Sequence, residues 1–296
     1  MNKYYIRYLA VMILFGSNGI FASMIELNSY EIVLWRTLIG SLLLLLLFLL
    51  TGNRFSFLKH KKSFMMLMIS GMAMGGSWMF LYEAYHQIGV SIATLCYYCG
   101  PVIVMALAPV LFKEKLSFIK VSGFIIVLIG IFLINSQVTR EAASIFGIFC
   151  GLMSAVMYSM MVIFNKKCTE ISGLENASLQ LVFGFLTTAV YIFFKQGLNL
   201  HIPGTGILPL SILGLINTGL GCYLYFSTIG KLPVQTVAIT GYLEPLSAVL
   251  LSVLFLKESL LPLQIIGAVC IIGGAILSEG IIKIPTSIRR RKEGLN

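Results

Sequence analysis

Apolar residues run along this chain in ten stretches, 5–25, 32–51, 64–87, 90–112, 117–135, 144–165, 176–195, 207–229, 233–256 and 261–279, with short polar breaks between them. Each is close to the roughly 20 residues a helix needs to cross the hydrocarbon of a bilayer. The pattern predicts an all-α membrane protein of ten transmembrane helices. No break is long enough to hold a soluble catalytic or regulatory domain. The first run follows Met1-Asn2-Lys3 as a signal peptide would, but it continues past Ser17-Asn18 with no small-x-small cleavage site and is taken as the first spanning helix.

Composition agrees: 58% of the 296 residues are hydrophobic, the mean hydropathy is +0.95, and only 11% are charged, against about a quarter in a soluble domain. A net charge of +10 would point a soluble protein toward nucleic acid. Its placement points elsewhere. With a cytoplasmic N-terminus, seventeen of the Lys and Arg residues fall on the cytoplasmic side, and only Arg36, Arg140, Lys195 and Lys257 fall on the other. That bias predicts a multi-pass protein of the cell (inner or plasma) membrane with both termini cytoplasmic. The basic tail, 282–296, includes a run at 288–292 suited to anionic headgroups, so membrane lipids are expected partners and nucleic acid is not.

Shifting the chain by 144 residues lays its second half on its first without gaps. Glu31 falls on Glu175, Gly40 on Gly184, Gly75 on Gly219, Tyr98 on Tyr242 and Pro101 on Pro245. Lys113-Glu114 then meets Lys257-Glu258, Gly123 meets Gly267 and Gly130 meets Gly274. Coincident Pro, Gly and Lys-Glu at one offset mark a tandem duplication, with units 1–139 and 140–281. Five spans per unit is an odd number, so the second copy is expected to insert upside down. The cytoplasmic Lys-rich loop at 113–120 accordingly loses lysines in its copy, where Gln264 replaces Lys120. Two inverted five-helix repeats predict a binding site near the bilayer midplane and alternating access to it.

With these two units, the Leu243-Glu244-Pro245 and Cys99-Gly100-Pro101 motifs, the Lys-Glu loops and the glycines after them, the chain resembles the EamA-domain proteins of the drug/metabolite transporter superfamily over residues 5–280. Arg36, early in the second helix, also fits that pattern. The resemblance implies a ten-helix carrier whose central cavity is lined mainly by the first, third, fourth, sixth, eighth and ninth helices, with the fifth and tenth at the periphery. The copy of Arg36 is Gln180 and that of Glu83 is Ser227, so the halves differ where a polar role would lie.

Carboxylates inside apolar spans are costly and are kept mainly for pathways, relays and pockets. Glu83 lies in the segment Trp78-Met79-Phe80-Leu81-Tyr82-Glu83-Ala84-Tyr85-His86. Glu83 and His86, three apart, share a helix face beside the aromatic Trp78 and Tyr82. The pair is a candidate for substrate or proton handling; the plainer alternative is a contact between Glu83 and Arg36. Glu244 precedes Pro245, whose ring displaces the carbonyl of Gly241, as Pro101 does to that of Tyr97. Such freed carbonyls survive where protein or a wet cavity satisfies them, so the two prolines mark helix breaks. Glu244 itself fits either a cavity wall or a structural pin. Asn18, Tyr97, Tyr98, Tyr158, Asn217 and Tyr242 complete an expected aromatic pocket with a few hydrogen-bonding groups, though each alone also suits helix packing.

The chain has no Asp, and Arg36 is the one cation expected inside a pocket, which disfavours dianionic substrates. An acidic, aromatic pocket suits a small neutral, zwitterionic or cationic organic molecule of amino-acid type. The expected activity is secondary transport, with protons as a candidate coupling ion and export as the direction common among drug/metabolite relatives. A multidrug or lipophilic-cation efflux carrier is the alternative, and a channel-like facilitator a weaker one. No cofactor or metal is called for, no enzymatic motif is visible, and monomer and homodimer both stay open.

Overall fold

The computed structural model describes residues 3–52, 54–134, 144–197, 206–256 and 261–278. Arg140, His201, Lys257, Glu258 and the tail 282–296 lie outside them. Within the described residues the chain is helical, with no strand. Eight helical segments are long and apolar enough to cross a bilayer: α1 (Lys3–Ser23), α2 (Ser29–Leu50), α3 (Lys61–Val90), α4 (Ile92–Phe112), α6 (Ile145–Lys167), α7 (Gly173–Gln196), α8 (Ile207–Ile229) and α9 (Val234–Phe255). Two shorter apolar helices, α5 (Phe118–Ile134) and α10 (Pro262–Ser278), have 17 residues each. At 1.5 Å per residue they span about 26 Å, against about 30 Å of hydrocarbon. Large apolar side chains such as Phe132, Phe194, Leu254 and Val269 face outward, as lipid contact requires.

Local chemistry sets the ends. The Asn28 side chain accepts the Glu31 amide at 2.9 Å and starts α2, and Ser144 accepts the Gly147 amide at 3.4 Å to start α6. Between α3 and α4 the chain turns at Gly89, whose φ of 74° suits glycine. Its counterpart at the 144 offset is Pro233, with φ −55° and ψ 144°, so the two halves make the corresponding turn with different residues. Inside α4 and α9 the helix loosens at Tyr98 and at Gly241-Tyr242, ahead of Pro101 and Pro245. The Gly241 carbonyl is taken by the Glu244 amide at 3.1 Å. The Tyr98 carbonyl is taken by the Tyr242 hydroxyl at 2.7 Å, a bond between two residues that are copies of each other.

Packing exchanges the halves. Helix α3 packs on α6 and α7, while their copies α8, α1 and α2 make the matching contacts; α4 on α6 is matched by α9 on α1. Helices α2 and α7, and α5 and α10, pair with their own copies. The duplicated glycines sit at these crossings. A Cβ on Gly123 would stand 2.5 Å from the Gly274 carbonyl oxygen, and one on Gly130 would stand 2.6 Å from that of Gly267. These close approaches run in opposite sequence order, so α5 and α10 cross antiparallel. Gly75 meets Gly184 across α3 and α7, and their copies Gly219 and Gly40 meet across α8 and α2. Backbones can come this close only without side chains between them.

Candidate functional site

The crossings leave a central hollow lined by polar and aromatic side chains from both repeats. It is bordered by α1, α2, α3, α4, α6, α8 and α9. These are the six helices the resemblance implies, joined by α2 through Arg36. Helices α5 and α10 contribute no lining residue, because their small faces are spent on each other.

Seven of the residues singled out in the sequence meet here: Asn18, Arg36, Trp78, Tyr97, Tyr158, Asn217 and Glu244. The guanidinium of Arg36 lies over the Trp78 ring, 4.4 Å from its centroid. Tyr97 and Tyr158 meet edge to face at 5.4 Å. Asn217 donates from Nδ2 to the Leu14 carbonyl at 3.1 Å, to Ser17 Oγ at 2.8 Å and to Asn18 Oδ1 at 3.0 Å. Asn217 belongs to a π-helical stretch of α8, Leu213–Leu220, where the Thr218 side-chain hydroxyl also donates to the carbonyl of Leu213 at 2.8 Å. Such wider turns recur at functional sites because they re-aim side chains.

Two side-chain atoms of this lining, Arg36 Nε and Asn217 Oδ1, are buried without a hydrogen-bond partner among the described residues. Buried polar groups are normally satisfied, so two orphans around one hollow imply water or a ligand as their partner. The carboxylate of Glu244 has no hydrogen-bonding or ion-pairing side chain among the described residues either, and no ion pair joins it to Arg36. A guanidinium and a carboxyl group thus border one aromatic hollow with no ion pair between them.

Glu83, Tyr82, His86, Tyr98 and Tyr242 are placed outside the lining. The alternative contact of Glu83 with Arg36 does not form, and another takes its place. Lys195 of α7 forms an ion pair with Glu83, Tyr30 donates to the same oxygen at 2.6 Å, Tyr191 does so at 3.3 Å, and Gln87 holds the other oxygen at 3.1 Å. The physical reason is that α3 packs closely on α7 at this end, while Arg36 is drawn to Trp78 inside the hollow. His86 stacks on Tyr30 at 5.8 Å, and Tyr82 packs edge to face on Tyr85 at 5.3 Å. Tyr98 and Tyr242 meet each other at 5.9 Å, between the halves.

Lys195, Tyr30 and Tyr191 escaped the sequence reading because no spacing links them to Glu83. The lining residues Met74, Ser77, Met161 and Cys222 escaped it too, since small and sulfur-bearing side chains in a span look like packing. Glu31 and Glu175, flagged only as repeat markers, are buried, and Glu175 holds the Ser56 and Phe57 amides at 2.7 and 3.0 Å.

A bundle of long apolar helices around a polar hollow is the form of a multi-pass membrane transporter, and comparison with known proteins agrees. The chain belongs to the EamA-like transporter family, part of the drug/metabolite transporter superfamily: the family model matches twice, over residues 2–136 and 145–279. It is similar to the uncharacterized transporter YxxF of Bacillus subtilis, at 28% identity over 92% of this chain and 88% of that one. It is also similar to the uncharacterized inner membrane transporter YicL of Salmonella typhimurium, at 25% identity over 93% and 95%. One crystal structure shares the fold with a TM-score of 0.81 at 16% identity, covering 95% of this chain and 99% of its own.

Proposed function

We propose that the protein is a ten-helix secondary carrier of two inverted five-helix units, 1–139 and 140–281, that moves a small zwitterionic organic molecule of amino-acid type by alternating access. The antiparallel crossing of α5 and α10, copies of each other, supports the inversion. The observation that carries the substrate class is the unpaired opposition of Arg36 and Glu244 in one aromatic hollow. A carboxylate on the substrate answers the guanidinium. An ammonium answers Glu244 and the faces of Tyr97 and Tyr158. Asn217 Oδ1 offers a further hydrogen bond. A cytoplasmic location of both termini, residence in the cell membrane, export as the direction and protons as coupling ion complete the proposal; no enzymatic step is part of it.

A lipophilic-cation carrier is the second reading, favoured by the six aromatic residues Phe15, Trp78, Tyr97, Tyr158, Tyr225 and Phe226 that line the hollow with Glu244. Arg36 in the same hollow repels such cargo. Counterflow of labelled substrate into proteoliposomes separates the two. Zwitterionic amino acids are expected to drive saturable exchange, and Arg36→Ala is expected to weaken it at least tenfold, a loss of about 1.4 kcal/mol. Exchange of organic cations that improves in Arg36→Ala would sink the zwitterion reading in favour of the second.

A further inference from the structure

At the end of the bundle remote from Glu83, four lysines converge on an open cleft. Lys115 and Lys120 come from the connection into α5 and its first turn, Lys166 from the end of α6, and Lys231 from the turn between α8 and α9. The first two belong to one repeat and the last two to the other. The only acid in the lining, Glu114, is tied to the backbone, its two oxygens accepting the amides of Val234 at 2.7 Å and Gln235 at 3.1 Å, while its charge also acts on Lys166. Among the described residues no ion pair involves any of these lysines. Lys166, half-buried, gives its ammonium to the Leu232 carbonyl. Gln235, fully buried in the cleft wall, donates to the Lys115 carbonyl at 3.4 Å, but its Oε1 has no partner.

An excess of positive charge on one face is what membrane orientation asks of any such protein. Orientation alone does not ask that lysines from three chain segments border one cleft, or that the neighbouring acid be held by backbone amides. At the 144 offset the same positions carry Ser259, Gln264, Ala22 and Gln87, so none of the four lysines is repeated in the other half. We infer that the cleft bordered by Lys115, Lys120, Lys166 and Lys231 binds a phosphate ester that also bears a hydroxyl, of glycerol phosphate type, and so bridges the two repeats at that end. Lysine is a point-charge binder of phosphate. A hydroxyl beside the phosphate is the donor that the orphaned Gln235 Oε1 lacks. Basic pockets between spanning helices take anionic headgroups in this way.

The chemistry is shared by a phosphatidylglycerol headgroup and by free glycerol phosphate. Purified full-length protein in neutral detergent is titrated with each, following bound ligand by native mass spectrometry and the shift in Tm. The triple variant Lys115→Gln/Lys120→Gln/Lys231→Gln is expected to bind about 100-fold more weakly, about fivefold per lysine. A control triple at other basic-loop positions, Lys59→Gln/Lys61→Gln/Lys62→Gln, is expected to stay within about twofold. Should the first triple fail to fold, Lys231→Gln alone, an exposed change, is expected to weaken binding about fivefold. Binding of phosphatidylglycerol alone assigns the site to the lipid, and binding of both probes assigns it to the soluble ester as well. Equal losses in the two triples would reduce the effect to diffuse charge and overturn the inference, as would no binding of either probe.

Discussion

Glu83 and Glu244 stand out together in the sequence, yet they are housed in opposite ways. Glu83 is held by a lysine, two tyrosines and a glutamine from α2, α3 and α7, drawn from both repeats. Glu244 faces the central hollow with no described side chain bonded to its carboxylate. One acid has its charge answered by the protein and the other leaves it for something that enters. The difference teaches that an intramembrane carboxylate is informative only with its neighbours known. A satisfied one joins helices, and an unsatisfied one waits for a ligand.

Glu244→Gln tests the contrast hardest. If Glu244 answers a substrate ammonium, its removal leaves that charge uncompensated in a low-dielectric site, worth about 3 kcal/mol or more, and exchange in proteoliposomes is expected to fall at least about 100-fold. The Tm in detergent is expected to hold, because no bond within the protein is lost. A large drop in Tm with transport retained would make Glu244 a structural pin.

Glu83→Ala is expected to do the reverse. It strips the partner from Lys195 and Tyr30 together, and a stability loss of about 2 kcal/mol is expected, discounted because Lys195 is partly exposed. Transport per folded molecule is expected to fall by less than tenfold. Loss of transport with an unchanged Tm would move Glu83 into the transport pathway.

Smaller still is the coupling between Glu83 and Lys195. In a double-mutant cycle of Glu83→Gln and Lys195→Met, the combined loss is expected to be about 1 kcal/mol less than the sum of the single losses. Strict additivity would mean that the pair contributes nothing across the repeats. Tyr30→Phe, which deletes one hydroxyl from the cluster, is expected to lower stability by about 1 kcal/mol and leave exchange intact.

Much of the fold was legible in the chain. Eight of the ten apolar runs correspond to helices long enough to span, and the other two to helices of 17 residues. The duplicated glycines at offset 144 reappear in reciprocal contact at the crossings of α5 with α10, α3 with α7 and α2 with α8. The hollow was legible in part: Asn18, Trp78, Asn217 and Glu244 meet there, but nothing in their spacing shows that Glu83, the richest-looking candidate, sits elsewhere. Lys195 reads as an ordinary residue near a helix end, 112 positions from its partner. The π-helical stretch around Asn217 has no signature in the run Leu-Gly-Leu-Ile-Asn-Thr-Gly-Leu.

What the amino-acid order determined alone was the membrane class, the position of the spans, the duplication and the small residues at which the halves touch. These are local or periodic properties: hydropathy acts residue by residue, and a repeat is a pattern on a line. Only the tertiary structure decided which acid is neutralised, which cation borders the hollow and which polar atoms are left without partners. Those outcomes depend on side chains brought together from both repeats by helix packing, and a linear pattern does not record which charge meets which.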